Sequence, residues 1–133
     1  MARHETEIVR SGSLQACIDL QLAPIIRWLW GRGIKTLQCC QGDVGKSAYI
    51  VFKTCRDLEM FLEALLGDKS DRDFTDRVLP NDWVGNENLT FKSETKKWRY
   101  DMKCNFGACD IRFCAGVYFP PEDIPEVMER LMA

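Results

Sequence analysis

The chain has one histidine, His4, among its 133 residues, and no two cysteines stand in a C-x-x-C spacing. Zinc knuckles are built from such pairs, so no metal site and no cofactor is expected. No apolar run approaches the roughly 20 residues needed to cross a bilayer, so no membrane partner is expected. Residues 1–14 lack the apolar stretch of a secretory signal. There is no internal repeat and no low-complexity tract. Net charge is only −2, which removes any global electrostatic reason to expect nucleic acid. Cysteine, by contrast, is plentiful. Seven cysteines without an export signal read as reduced thiols in a cytoplasmic protein, and an odd count argues against a fully paired disulfide framework.

A chain of this length makes one domain, and 46% hydrophobic residues are enough to give it a core. A first helix is expected over 19–32, with Asp19 as N-cap and Ile18, Leu22, Ile25, Ile26 and Leu29 as its apolar stripe. Two strands, 34–40 and 48–53, follow across the turn 41–47. A second helix opens with Thr54 and Asp57 in a variant capping box and buries Leu58, Phe61, Leu62, Leu65 and Leu66. The polar stretch 68–88 reads as a long connection tethered by Trp83, ahead of a short strand at 89–92. A last helix begins near Pro121.

The strongest pattern is the alternation in 97–106 and 109–119. A two-residue turn at Gly107-Ala108 pairs Phe106 with Cys109, Cys104 with Ile111, Met102 with Phe113 and Trp98 with Val117. Every apolar residue then shares one face, which a slip of one residue would destroy. The expected fold class is α+β, an antiparallel sheet with three helices in the order α-β-β-α-(β)-β-β-α. Residues 1–17 are expected to be flexible or loosely packed, and 18–133 to form the single domain.

Two groups of residues are candidates for function. The first is the turn carrying Gln38, Cys39, Cys40, Gln41 and Asp43. A cysteine near a glycine turn can be partly exposed, and backbone N–H groups there favour a thiolate. The opposing reading is that Cys39 and Cys40 alternate across a strand as small hydrophobes. A catalytic cysteine also needs a base, and no histidine lies inside the domain. The pattern Gly33-Ile34-x-Thr36, two residues, Cys39-Cys40, one residue, Gly42 and an apolar strand resembles small bacterial and phage-type α+β domains. The resemblance covers about 18–52, with an echo in 111–113 and 119–121, and implies the fold but no activity. Its relatives often carry histidine where this chain has Asp43. The turn is also faintly similar to the Ser-x-Cys-Ser-Gly turn of wybutosine-synthesis methyltransferases acting on transfer RNA, without the basic residue that follows there.

The second group is the polar face of the long hairpin: Arg99, Asp101, Lys103, Arg112 and Tyr118, with Lys103 opposite Arg112 in the expected register. Like charges so placed call for neighbouring acids or a bound anion. Cys104 and Cys109 are expected to face the core and Cys114 away from it. The segment 42–47, Gly-Asp-Val-Gly-Lys-Ser, is not a phosphate loop, because only two residues separate its glycines and a strand follows. The expected function is a non-catalytic domain that binds a ligand or partner, an anionic small molecule or a protein, with RNA a weaker prospect and oligomers open. The alternative is a small enzyme, cysteine-dependent or concerned with RNA modification, with its pocket near Cys39–Asp43.

Overall fold

The computed structural model describes residues 4–43, 45–67, 72–79, 97–107 and 109–133. The chain order is β1 (Thr6–Ser11), β2 (Leu14–Asp19), α1 (Ala23–Gly31), β3 (Thr36–Cys40), β4 (Ala48–Phe52), α2 (Cys55–Leu65) and α3 (Arg72–Val78). It closes with β5 (Arg99–Phe106), β6 (Ile111–Phe119), a short 3-10 turn and α4 (Ile124–Met132). The α+β class with antiparallel pairing is as expected. Among the described residues, however, there are four α-helices and two sheets, one of β1 and β2 and one in the order β3-β4-β6-β5. None of those helices is long and apolar enough to cross a membrane.

The added sheet comes from the segment expected to lie loosely ahead of the domain. β1 and β2 pair from Thr6 with Asp19 to Ser11 with Leu14, and Gly12 takes the turn at a φ of 60°, where glycine costs least. Val9 is fully buried, and Ile18 joins it in the core against α1. Arg27 of α1 ties the hairpin down through Glu7 at 2.9 Å. Asp19 therefore closes a strand and does not cap α1, which starts four residues later with no side-chain cap and Pro24 in its first turn.

The added helix is α3, inside the stretch read as a connection. At seven residues it is too short to hold itself. Phe74 meets the Trp98 ring edge-on at 5.9 Å, and Tyr100 donates its hydroxyl to the Val78 carbonyl at 2.6 Å. Trp83 and the strand expected at 89–92 lie outside the described residues.

The β5–β6 hairpin has the expected faces but another register. Phe106 pairs with Ile111, Cys104 with Phe113, Met102 with Ala115 and Tyr100 with Val117. The connection is four residues long, and Gly107 N–H donates to the Asp110 carbonyl at 2.9 Å. The register differs by two residues, so alternation, with its period of two, cannot distinguish the alternatives. The apolar face is also only half covered. Buried positions on β6 begin at Cys114, while Met102, Phe106, Ile111 and Phe113 are exposed. Cys104 and Cys109, expected in the core, are exposed for the same reason. Cys114 does face away from the helices but is itself buried.

The core lies between the four-stranded sheet and α1, α2 and α4, with Ile50, Phe52, Val117 and Phe119 meeting Ile26, Leu29, Phe61 and Val127. Thr54 caps α2 as expected: its Oγ accepts the Asp57 N–H at 3.1 Å and donates to the Asp57 carboxylate at 2.7 Å. Asp123 anchors the far end. It accepts two bonds from Arg77, at 2.9 and 2.8 Å, and one from the Trp98 indole at 2.9 Å.

Candidate functional site

The pairing of β1 with β2 has a consequence for His4. With Thr6 opposite Asp19 and Leu20 N–H donating to the Glu5 carbonyl at 2.8 Å, residue 4 is carried beside the end of β2. There β2 runs against β3, whose last residue is Cys40. The lone histidine thus arrives at the turn that the sequence had singled out.

His4 Nδ1 lies 3.0 Å from Asp19 Oδ2 and 3.9 Å from Cys40 Sγ, and Nε2 lies 3.1 Å from Asp43 Oδ1. Both ring nitrogens face carboxylates, which accept hydrogen bonds when ionised, an arrangement that favours the imidazolium form. The Asp43 and then the Asp19 hydrogen bonds accordingly raise the His4 pKa above its ordinary value. The second acceptor on Asp19 Oδ2 is filled by Gln41 N–H at 3.0 Å, and Gln41 Oε1 accepts the Gln21 N–H at 3.1 Å. Gly42 shapes the turn. Its φ is 74°, and a Cβ there would come within 2.7 Å of the backbone at Lys46 and Ala48, so no side chain fits. Its N–H points to Cys40 Sγ at 3.4 Å.

The two adjacent cysteines differ. Cys39 pairs with Ile50 on the helix side, where burial pushes its thiol up to about 12. Cys40 pairs with Tyr49 on the opposite side. Partial burial raises the Cys40 pKa too, and Asp19 and Asp43 add to this against the lowering effect of the Gly42 N–H. The thiol therefore stays protonated at neutral pH. The His4 imidazole is not free to take its proton, because Nδ1 is committed to Asp19 and Nε2 to Asp43. A nucleophile paired with a histidine needs one ring nitrogen for the thiol and the other for the orienting acid.

The corner opens onto a row of side chains across the sheet. Cys40 is directly opposite Tyr49, Tyr49 opposite Tyr118, and Tyr118 opposite Arg99. Directly opposed residues share a face, so these four line one level on the side turned away from the helices, about 14 Å from end to end at normal strand spacing. The Tyr49 and Tyr118 rings are 5.7 Å apart. The next level holds Gln38, Val51, Gly116 and Asp101. Tyr118 donates to Asp101 Oδ2 at 3.0 Å, and burial followed by that bond raises its pKa. Lys103 stands by the same ring, with its own pKa raised by Tyr118 first and Asp101 further down.

The two expected groups are therefore largely one. Gln38, Cys40, Arg99, Asp101, Lys103 and Tyr118 lie on one face, and Gln41 and Asp43 border its corner. Cys39 leaves the set, because it points inward. Arg112 stays at the far tip, about 20 Å along β6 from Tyr118, 70% exposed and paired with Asp110 at 3.1 Å. The expected apposition of Lys103 and Arg112 does not occur: Lys103 faces Cys114, and Arg112 faces Asn105. His4 and Asp19 are the residues that sequence reasoning missed. Their signal was the alternation on either side of Ser11-Gly12-Ser13, which marks a hairpin.

The chain matches no protein-family model, no curated protein and no solved structure.

Proposed function

We propose that the chain is a non-catalytic ligand-binding domain that takes an anionic small molecule across the outer face of the four-stranded sheet. The observation that carries this reading is the cross-strand row Cys40–Tyr49–Tyr118–Arg99, which joins the Cys40 corner to the cationic edge at Arg99 and Lys103. The paired rings of Tyr49 and Tyr118 favour a ligand with a planar ring, since sheet-borne aromatics stack on rings of any substitution pattern. Against a cysteine-dependent enzyme stand the protonated Cys40 thiol and the histidine whose two nitrogens are both engaged.

The test is an amide chemical-shift titration of the full chain with two probes, inorganic phosphate and adenosine monophosphate. The nucleotide is expected to shift Tyr49, Arg99, Lys103 and Tyr118 and to bind at least about 5-fold more tightly than phosphate, with the response lost in Lys103→Ala. No response to either probe, or a response confined to other residues, overturns the reading. Rapid alkylation of Cys40 at neutral pH would revive the enzyme.

A further inference from the structure

We propose that His4, Asp19 and Cys40 are the protein ligands of a divalent transition-metal site of the zinc class, with Asp43 as the carboxylate that orients the imidazole. This deepens the reading above and rests on the corner being part of the ligand-binding face. Among the described residues, these three form the one group of His, Cys, Asp or Glu whose ligand atoms converge, all within 4.8 Å of one another. The convergence is atom-specific, because Nδ1, Oδ2 and Sγ meet while Nε2 turns outward to Asp43.

The distances suit a small tetrahedral ion. Bonds of about 2.0–2.1 Å to nitrogen and oxygen and about 2.3 Å to sulfur require about 3.3 Å between Nδ1 and Oδ2 and about 3.6 Å between Nδ1 and Sγ. The observed separations are 3.0 and 3.9 Å, each within about 0.3 Å of that requirement, and Oδ2 and Sγ lie within 4.8 Å of one another. An imidazole that binds metal through one nitrogen and donates its other N–H to a carboxylate is the arrangement that holds ring orientation in such sites. Asp43 provides that acceptor at 3.1 Å. The backbone helps as well: Gln41 N–H fixes the Asp19 carboxylate, and Gly42 N–H points to the sulfur.

The donor set selects the ion. One sulfur, one imidazole nitrogen and one carboxylate oxygen suit zinc, cobalt or nickel, whereas magnesium and calcium prefer oxygen alone. On loading, metal–nitrogen, metal–sulfur and metal–oxygen bonds form, and the Nδ1 and thiol protons leave to solvent. Three protein ligands leave a fourth position vacant on a tetrahedral ion, the pattern of a metal that receives an external ligand. Cys40 stands in line with Tyr49, so an anion bound on the sheet face can complete the coordination.

The experiment titrates the metal-free full chain with Co²⁺, whose thiolate charge-transfer and tetrahedral visible bands report the site, followed by Zn²⁺ displacement. One equivalent of Co²⁺ with both bands is expected. Cys40→Ser should abolish the charge-transfer band, and Cys17→Ser should leave it intact. His4→Gln and Asp19→Asn should weaken binding at least about 100-fold, and Asp43→Asn about 10- to 100-fold. Metal-free amide spectra of each variant check folding, and the exposed Asp43→Asn substitution keeps the test open if a core variant misfolds. No charge-transfer band, or a band unchanged in Cys40→Ser, overturns the proposal. If Co²⁺ fails while adenosine monophosphate still shifts the Tyr49 row, only the metal falls. If both fail, the binding face falls with it.

Discussion

Two charged clusters in this molecule look alike on a list of contacts and differ in how their bonding capacity is used. At one end, Asp123 takes Arg77 and the Trp98 indole in a buried setting with Phe74, Phe61 and Phe119 around the indole. Each strong donor has its acceptor, and the site joins α3 to the residue ahead of β5 and to the 3-10 turn ahead of α4. At the other end, His4 is held between two carboxylates with a thiol 3.9 Å away; His4, Asp19 and Cys40 are only partly buried and Asp43 is exposed. Here one imidazole is shared by two carboxylates, and Nδ1, Oδ2 and the thiol sulfur lie within 4.8 Å of one another. A dry cluster with matched partners holds a fold together. A part-buried cluster whose ligand atoms converge is the one we propose takes an ion.

If that contrast holds, the largest effect should come from the buried cluster. Asp123→Ala leaves the indole N–H without its acceptor and Arg77 with only the longer contact to Glu126 at 3.8 Å, and should cost about 3 kcal/mol of stability by chemical denaturation. Co²⁺ binding by the folded fraction should stay at the wild-type level. Loss of metal binding alongside would mean that the two clusters are coupled and the comparison is false. Gly42→Ala should follow at about 2 kcal/mol, because it strains a φ of 74° and collides with the backbone of the turn. Unlike the first substitution, it should remove metal binding as well.

Smaller effects sharpen the distinction. Cys40→Ser in the metal-free chain should change stability by no more than about 0.5 kcal/mol, as expected for a half-exposed position whose role is not structural. Arg112→Ala should change stability and ligand response least, within about 0.5 kcal/mol, because its pair with Asp110 is exposed. Alkylation followed by peptide mapping ranks the thiols: exposed Cys17, Cys55, Cys104 and Cys109 should react first at neutral pH. Cys39 should be slow, since a thiol pushed up to about 12 gains thiolate only as pH rises far above neutrality, and buried Cys114 should be slow with it.

How much of this was legible beforehand depends on the range of the interactions concerned. The Thr54 cap, the last helix near Pro121 and the shared face of β5 and β6 are local or periodic, and the residues declare them. The hairpin register is not, because positions two apart look identical to an alternating pattern and only the loop decides. α3 was hidden because its helicity comes from Trp98 and Tyr100, far along the chain. The turn after Cys40 was visible, but its partner was not. His4 is 36 residues away from Cys40 and reaches it only through a hairpin whose charged residues masked its alternation. The absence of a histidine inside the domain seemed to dismiss both metal and base. The engagement of both His4 nitrogens argues against that imidazole as a base, and the convergence of its Nδ1 with Asp19 and Cys40 is what the proposed metal site rests on.

The ligand set at the corner is tested most directly by X-ray absorption at the zinc edge of the zinc-loaded full chain. The expected shell has one sulfur at about 2.3 Å and the rest nitrogen or oxygen at about 2.0–2.2 Å, with the sulfur lost in Cys40→Ser. A shell of several sulfurs, or one without sulfur, would contradict the assignment of His4, Asp19 and Cys40.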